Sequence, residues 1–290
     1  MSTLQNLFTL AFVITSMLSM GLSLTVSRIL QPLRNPRLVI MSLAANFVIV
    51  PAAAFILSRI IPLEHDVQIG LLLLGTAAGA PFLPKLAQNA RANVAFAVGL
   101  MTMLIVVTIV YLPIVLPFLL PGVEVDTGQI AISLIVRMLV PLLIGLLIKA
   151  RYEDAAEALQ PVMSQISNLS LALLLVLMLA VNFRNVLDLF GTGAILATLL
   201  FVTISVTGGY FLGGPSTDTK RVLALGTGQR NLAAAFVIAT ANFADQPNVL
   251  VYLTAVGLVA MVVMLPTAAE FARRSKTAPG SADMPAFRQR

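Results

Sequence analysis

Of the 290 residues in this chain, 59% are hydrophobic and only 10% are charged, which excludes an ordinary soluble domain, where about a quarter of residues are charged. The absence of cysteine excludes disulfides, thiolate chemistry and cysteine-based metal sites. A net charge of +6 is compatible with nucleic-acid binding, but the basic residues lie at the ends of apolar runs and therefore indicate membrane topology instead.

Apolar runs of about twenty residues, long enough to cross a bilayer, recur along the whole chain. We predict an all-α transmembrane protein with one transmembrane domain, residues 1–274. The nine predicted spans are residues 4–27, 38–62, 67–89, 93–120, 128–149, 161–183, 191–213, 221–243 and 248–271. The remaining tail, residues 275–290, is rich in Pro, Gly and Ser and is predicted to be disordered in the cytoplasm.

The loop charges predict the orientation of the chain. Basic residues follow every odd-numbered span: Arg28, Arg34, Arg37, Arg91, Lys149, Arg151, Lys220, Arg221, Arg273, Arg274 and Lys276. Acidic residues occupy the alternate loops, with Arg184 as their one flanking base: Glu64, Asp66, Glu124, Asp126, Asp188 and Asp245. Because basic loops mark the cytoplasmic side, we predict a multi-pass protein of the bacterial inner membrane with its N-terminus outside.

The third and eighth spans combine helix breakers with polar residues at membrane depth. The third contains Gly75, Gly79, Pro81 and Pro84. The eighth contains Gly226 and Gly228, followed by Gln229, Arg230 and Asn231. Two such segments five spans apart run in opposite directions through the membrane, as the broken helices of inverted-repeat transporters do. We therefore predict two broken helices, held where unwound backbone is buried in protein or faces a wet cavity.

Three cations lie well inside predicted spans, namely Lys85, Arg137 and Arg230, and no carboxylate lies at comparable depth. A cation at the centre of a membrane helix costs roughly 2.5–3.5 kcal/mol, so each needs neutralisation, hydration or a route to the interface. Lys85 could extend to the cytoplasmic face, and Arg137 could bond to carbonyls of a neighbouring helix. Arg230 is the hardest to explain structurally, and an anionic ligand is its natural counter-charge.

Other polar residues are candidates to complete a binding site with these cations. They are Gln229, Asn231, Asn46 in the second span and Asn168 in the sixth, where Ser164 and Ser167 share its face. Hydrogen bonding between helices is their alternative role. No set of metal ligands, cofactor motif or catalytic group occurs at membrane depth, and His65 is the one histidine. We therefore expect no metal, no cofactor, no nucleic-acid partner and no enzymatic activity.

Several stretches together resemble the bile acid:sodium symporter family. They are MGLSLT from Met20, RNPRLVIMSLAANFVIVP from Arg34, NARANVAFAV from Asn89 and GTGQRN from Gly226. The resemblance implies ten helices or, where the first is missing, nine, with inverted repeats and broken helices that cross in a core domain beside a panel domain; the nine predicted spans match the nine-helix form. It assigns spans 4–27, 128–149 and 161–183 to the panel, and spans 38–62, 67–89, 93–120, 191–213, 221–243 and 248–271 to the core.

The resemblance also implies two sodium sites near the crossing, but the residues differ here. The family's Glu and Gln positions fall on Gly226 and Arg230, and its Ser-Asn pair falls on Leu83 and Pro84. Its hydroxyl positions fall on Ala97 and Met101, and an earlier Gln falls on Asn46. Apolar residues and two cations thus replace oxygen ligands suited to a hard cation, and we expect Lys85 and Arg230 to substitute for the sodium ions.

These patterns favour a secondary transporter of a small organic anion, with the lipid bilayer as its surroundings and without sodium coupling. Transport would then be by uniport, exchange or proton coupling. Two alternatives stay open: a sodium-coupled symporter with a rearranged ion site, and a membrane sensor that does not transport. Arsenite efflux, which in the related class uses a membrane cysteine, does not fit. The oligomeric state is also open, a monomer included.

Overall fold

The computed structural model describes residues 2–25, 35–120, 126–189 and 191–276, most of which are helical. The helices are α1 (Ser2–Ser23), α2 (Pro36–Ile60), α3 (His65–Thr76), α4 (Leu83–Asn89), α5 (Val94–Leu119), α6 (Thr127–Arg151), α7 (Glu153–Val181), α8 (Phe183–Asp188), α9 (Ala194–Leu212), α10 (Thr217–Gly228), α11 (Leu232–Asn242) and α12 (Pro247–Lys276). Single π-helical turns interrupt α2 at Ala45–Ile49 and α6 at Ile135–Leu139.

Eight helical segments in the described part of the chain are long and apolar enough to cross a membrane, and α10 with α11 forms one of them. The predicted third span, 67–89, is not among them because it divides into α3 and α4 around the unwound residues 77–82. An all-α transmembrane fold is therefore confirmed, whereas nine crossings stay a prediction. Arg28, Arg34, Glu124 and residues 277–290 lie outside the described residues, and the predicted tail begins inside α12.

The helices form two groups that meet along one seam. Helix α1 packs mainly against α6 and α7, while α2, α3, α9, α10 and α12 pack mainly among themselves. The first group is held closely because Gly21 and Gly145 face each other across the α1–α6 contact, where added Cβ atoms would meet the opposite backbone. Helix α6 also contacts α5 and α11, so it lies at the seam between the groups. The expected division into panel and core stays a prediction.

Glycine and proline form the first break as predicted. Gly79 has φ of 80°, a left-handed conformation that favours glycine, and a Cβ there would lie 2.6 Å from the Ile105 nitrogen. Gly75 lies against α2, where its Cβ would come within 2.5 Å of the Ala54 Cβ. Pro81 occupies the turn before α4, and Pro84 lies in its first turn, where proline is tolerated.

The second break begins after both of the glycines that were predicted to form it. Gly226 lies inside α10 rather than at its end, so our prediction that it breaks the helix is wrong. Its missing side chain instead makes room for Leu83 and Leu100, whose methyl groups would lie 3.0 and 3.3 Å from an added Cβ. Gly228 is the last residue of α10, and the chain is unwound at residues 229–231.

Contacts between helix ends show which loops share a side. Gln5 donates to the Met178 sulfur at 3.0 Å, which joins the start of α1 to the end of α7. Gln129 donates to the Ala241 carbonyl at 3.1 Å, which joins the start of α6 to the end of α11. On the opposite side, Ser19 contacts Gln160. The acidic Asp126 and Asp245 thus lie on one side, and Lys149 and Arg151 lie on the other, as the loop charges predicted.

We expect Gly79→Ala to destabilise the protein by about 1–3 kcal/mol, because a Cβ forces a strained conformation and meets the Ile105 nitrogen. The measurement is the thermal unfolding midpoint of purified protein in detergent. Gly208→Ala is the matched control, since its Cβ would meet nothing closer than 3.6 Å. Equal midpoints for the two variants would contradict this account of the first break.

The orientation of the chain can be tested with single cysteines because the native sequence has none. We expect Asp245→Cys to react with a membrane-impermeant maleimide in intact cells and Ser275→Cys to react only after permeabilisation. The physical reason is the loop charge asymmetry, which directs basic loops to the cytoplasm. The reverse labelling pattern would show that the predicted orientation is inverted.

Candidate functional site

The two unwound segments meet in the interior, and Asn231 joins them. Its backbone N–H donates to the Ala77 carbonyl at 3.0 Å, and its side-chain amide donates to the Ala78 carbonyl at 3.3 Å. Its side-chain oxygen accepts the Ala234 N–H at 3.1 Å and so caps α11. One residue of the second break therefore fixes the start of its own helix and the path of the first break.

Arg230 is almost fully buried, with 4% of its surface exposed, and its guanidinium bonds to the end of α3. Nε donates to the Leu74 carbonyl at 2.9 Å, and Nη2 donates to the Gly75 carbonyl at 2.8 Å. Nη1 donates to the Asn46 side-chain oxygen at 2.8 Å and, at 3.5 Å, to the Thr227 carbonyl. Four of the five N–H groups of an arginine are thus taken by protein oxygens.

The charge of Arg230 is balanced by helix ends rather than by a carboxylate. The ion pairs of the described residues do not include Arg230. Helices α3 and α10 both end beside it, at Thr76 and Gly228, and a helix C-terminus carries about half a negative charge. Two such ends provide an electrostatic environment that favours a single buried cation, provided its hydrogen bonds are made.

Asn46 reaches Arg230 from the π turn of α2. Its Nδ2 donates to the Ser42 carbonyl at 3.0 Å, which orients its oxygen toward the guanidinium. Pro51 follows the turn and cannot donate to the Phe47 carbonyl, which instead accepts the Tyr111 hydroxyl at 2.7 Å. The sequence analysis did not identify Tyr111 as part of this region. Its position as the one tyrosine of the fourth span, among mostly aliphatic residues, could have indicated a buried hydrogen bond.

A hydroxyl group completes the hydrogen bonding of the first break. Thr108 Oγ1 accepts the Ala78 N–H and donates to the Ala78 carbonyl, both at 3.1 Å. Thr227 at the end of α10 donates to the Ser205 carbonyl at 2.8 Å. These hydroxyls are therefore satisfied by backbone groups, and sequence reasoning did not identify either of them.

Most of the positions that the family resemblance assigns to sodium ligands carry apolar residues, with Asn46 and Arg230 as the polar ones. Leu83, Ala97 and Met101 are buried, and Leu83 and Leu100 occupy the space that a side chain at Gly226 would enter. A sodium ion needs a cage of oxygen ligands, and here methyl groups fill this region. The loss of the sodium sites stays a prediction, to which this packing gives a physical reason.

A cavity of about 10 Å³ lies beside the second break. Gln229 and Arg230 line it together with Leu74, Phe201 and residues of α12. A cavity of this size holds about one water molecule, whereas organic ligands occupy some hundreds of Å³. This cavity is therefore too small for an organic anion in this conformation.

The structure does not bring every predicted site residue to the crossing. Lys85 is exposed, and its ammonium donates to the Gln88 side chain at 3.3 Å. Asn168 is exposed on α7, although Ser167 beside it is buried and donates to the Phe12 carbonyl at 3.3 Å. Arg230, Asn231 and Asn46 therefore form one cluster with Gln229 at its edge, and Lys85 and Asn168 lie apart from it.

The sequence model of the Sodium Bile acid symporter family matches residues 10–189, more than half of the chain. The chain belongs to the sodium bile acid symporter family. The family match includes the first break and ends before the second. Together with the eight apolar helices, it identifies a multi-pass membrane protein.

Similar proteins occur in plants and in bacteria. The chain is 24% identical over 235 residues to the Arabidopsis thaliana protein named "Probable sodium/metabolite cotransporter BASS1, chloroplastic", covering 79% of this chain and 58% of the relative. It is 24% identical over 245 residues to "Probable sodium/metabolite cotransporter BASS6, chloroplastic" of the same plant, covering 79% and 59%. The Bacillus subtilis "Uncharacterized sodium-dependent transporter YocS" is 22% identical, covering 78% and 72%. The chain thus spans less than two thirds of either plant protein.

We expect Arg230→Gln to lower the thermal unfolding midpoint strongly. The shorter amide cannot reach the Leu74 and Gly75 carbonyls, and each buried acceptor without a donor costs about 1–3 kcal/mol. Arg230→Lys should lose less, because an ammonium retains three donors. Arg59→Gln is the matched control, since Arg59 is exposed and lies 5.0 Å from the Phe55 ring. If Arg230→Gln unfolds at the wild-type temperature, Arg230 does not hold the break together.

Proposed function

We propose that this protein is a secondary transporter of a small organic anion that works by alternating access without sodium. Membership of the sodium bile acid symporter family and the names of the similar proteins support transport. The two broken helices that meet in the interior support alternating access around a fixed crossing. In this proposal α1, α6 and α7 form the panel, and the remaining long helices form the core.

The observation that carries the proposal is the position of the Arg230 guanidinium on the carbonyls where α3 and α10 end. In transporters with broken helices, such half-helix C-termini coordinate the coupling cation. Here a cation that belongs to the protein already makes those bonds, at 2.9 Å to Leu74 and 2.8 Å to Gly75. We therefore propose that Arg230 is a covalently attached replacement for a sodium ion. Lys85 is dropped from this role because its ammonium lies elsewhere.

The proposed negative charge of the substrate rests on the charged residues at membrane depth. Lys85, Arg137 and Arg230 are cations, and the predicted spans contain no carboxylate at similar depth. A carboxylate or sulfonate would supply the missing negative charge and bond bidentately to an arginine. Without sodium, movement of such an anion would proceed by uniport, by exchange or with a proton.

Two alternatives predict different responses to sodium and substrate. A sodium-coupled symporter with a rearranged ion site is favoured by the words "sodium" and "sodium-dependent" in the names of the relatives. A sensor that binds an anion without moving it would show binding and no flux. Both are separated from the proposal by measuring binding and transport with and without sodium.

The test uses the choline salts of pyruvate, lactate, methanesulfonate and cholate with purified wild-type protein. We expect at least one of these acids to raise the thermal midpoint, with the same Kd in sodium chloride and in choline chloride. Proteoliposomes should then accumulate that labelled acid equally in both salts. The physical reason is that Arg230 occupies the place of the cation.

Potassium chloride controls for ionic strength, and lactamide controls for the acid group. A Kd at least tenfold lower in sodium, equivalent to about 1.4 kcal/mol, would contradict sodium independence and favour the rearranged symporter. Binding without flux in either salt would favour the sensor. No stabilisation by any of the four acids would contradict the organic-anion proposal.

A further inference from the structure

Arg137 lies in the π turn of α6 and makes no ion pair or side-chain hydrogen bond within the described part of the chain. It is half-buried. The two other cations inside predicted spans differ, since Lys85 bonds to Gln88 and Arg230 bonds to four oxygens. Arg137 is therefore a membrane-depth cation with its donors available.

Arg137 lies too far from both ends of α6 for its side chain to extend past either end. It is ten residues from Thr127 and fourteen from Arg151, which at 1.5 Å per residue corresponds to about 15 Å and about 21 Å along the helix axis. An extended arginine side chain is shorter than either distance. Charged residues at such depth face the protein interior or a water-filled cavity and pair with other groups or mark ligand pathways. The charge of Arg137 thus requires water or an anion beside α6.

The local backbone of α6 is specialised at this point, and α2 provides a comparison. Each helix has one π turn that ends two residues before a proline, Pro51 in α2 and Pro141 in α6. Each turn carries one polar side chain, and in α2 it is Asn46, which reaches Arg230. π turns often occur at functional sites. In α6 the one polar side chain of the π turn is Arg137.

The surroundings of Arg137 indicate the kind of ligand that would fit. On the same helix, Met138 and Leu134 are fully buried, while the aliphatic Val136 and Val140 are 57% and 42% exposed. The π turn packs against α1 of the first helix group and against α5, which also packs on α3 and α10 of the second. An anion bound here would therefore lie beside aliphatic side chains at the seam between the groups.

We propose that Arg137 binds the acid group of the transported organic anion at the seam between the two helix groups. This inference rests on the proposed function and adds the recognition residue to it. Arg230 remains a structural cation with four of its five N–H donors already used, and Arg137 provides the fork of donors that pairs with a carboxylate or sulfonate. Because α6 contacts both helix groups, movement of one group relative to the other would expose an anion bound to Arg137 first to one side of the membrane and then to the other.

The test uses Arg137→Cys, which is unambiguous because the chain has no native cysteine. We expect this variant to bind the acids that stabilise the wild type at least about tenfold more weakly. Treatment with 2-aminoethyl methanethiosulfonate attaches an ammonium group to the new thiol and should restore most of the lost affinity. Treatment with 2-sulfonatoethyl methanethiosulfonate attaches an anion and should not restore it. Arg184→Cys, which changes an exposed cation outside the spans, should bind as the wild type does before and after both reagents.

Two outcomes with Arg137→Cys overturn only the inference, and a third outcome overturns the proposed function as well. Arg137→Cys that binds the acids with wild-type affinity shows that Arg137 is not the recognition residue, while the proposed function stands. A thiol at position 137 that neither reagent modifies is not reached by water, which also overturns only the inference. Wild-type protein that none of the acids stabilises overturns the proposed function, and the inference falls with it.

A second variant separates recognition from a structural role. Arg137→Leu removes a cation that has no partner, so we expect the ligand-free protein to unfold at a higher temperature than the wild type. The same variant should lose the midpoint increase that the acids cause. A lower midpoint without ligand would mean that Arg137 supports the fold, and it would overturn the inference.

Discussion

The structure depends on the hydrogen bonds that the second broken helix supplies to the first. Unwound backbone in a membrane survives only when its polar groups find partners inside the protein. Arg230 and Asn231 donate to the carbonyls of Leu74, Gly75, Ala77 and Ala78. Two consecutive residues thus satisfy four carbonyls of the opposite break, so neither break can form correctly without the other.

A fixed cation changes what the crossing can do. A bound ion can leave, and its departure can be coupled to movement of a substrate, whereas a guanidinium attached to α10–α11 stays in every step. Leucine methyl groups fill the space beside Gly226, so this region offers little hydration to a mobile ion. In the proposed transporter the crossing would therefore be a permanent pivot rather than an ion site, and other residues would recognise the substrate. Arg137 is the cation at membrane depth whose donors are available for it.

The sequence predicted the two breaks and the cluster around Arg230 because breakers and polar residues at membrane depth have few explanations. It did not predict the direction of Lys85, since α4 has seven residues and its rotation is set by the preceding unwound segment rather than by periodicity. The role of Gly226 was also misread, because a glycine that admits a neighbouring leucine looks the same in sequence as a helix breaker. The π turn in α6, which determines how Arg137 is presented, has no signal beyond the proline that follows it.

If Arg230 is a fixed structural cation and Arg137 recognises the substrate, no cation accompanies the anion across the membrane. The membrane potential then acts on the charge of the anion alone. A monoanion that crosses without an accompanying cation moves one net charge, which costs or yields about 2.3 kcal/mol per 100 mV of membrane potential. When the cytoplasm is negative, that energy opposes uptake and favours export by roughly fifty-fold in concentration. Two co-transported sodium ions would reverse this balance, but Arg230 does not cross the membrane and contributes nothing to it. A carrier built in this way is therefore suited to export of an organic anion, to exchange of one anion for another, or to uptake with protons.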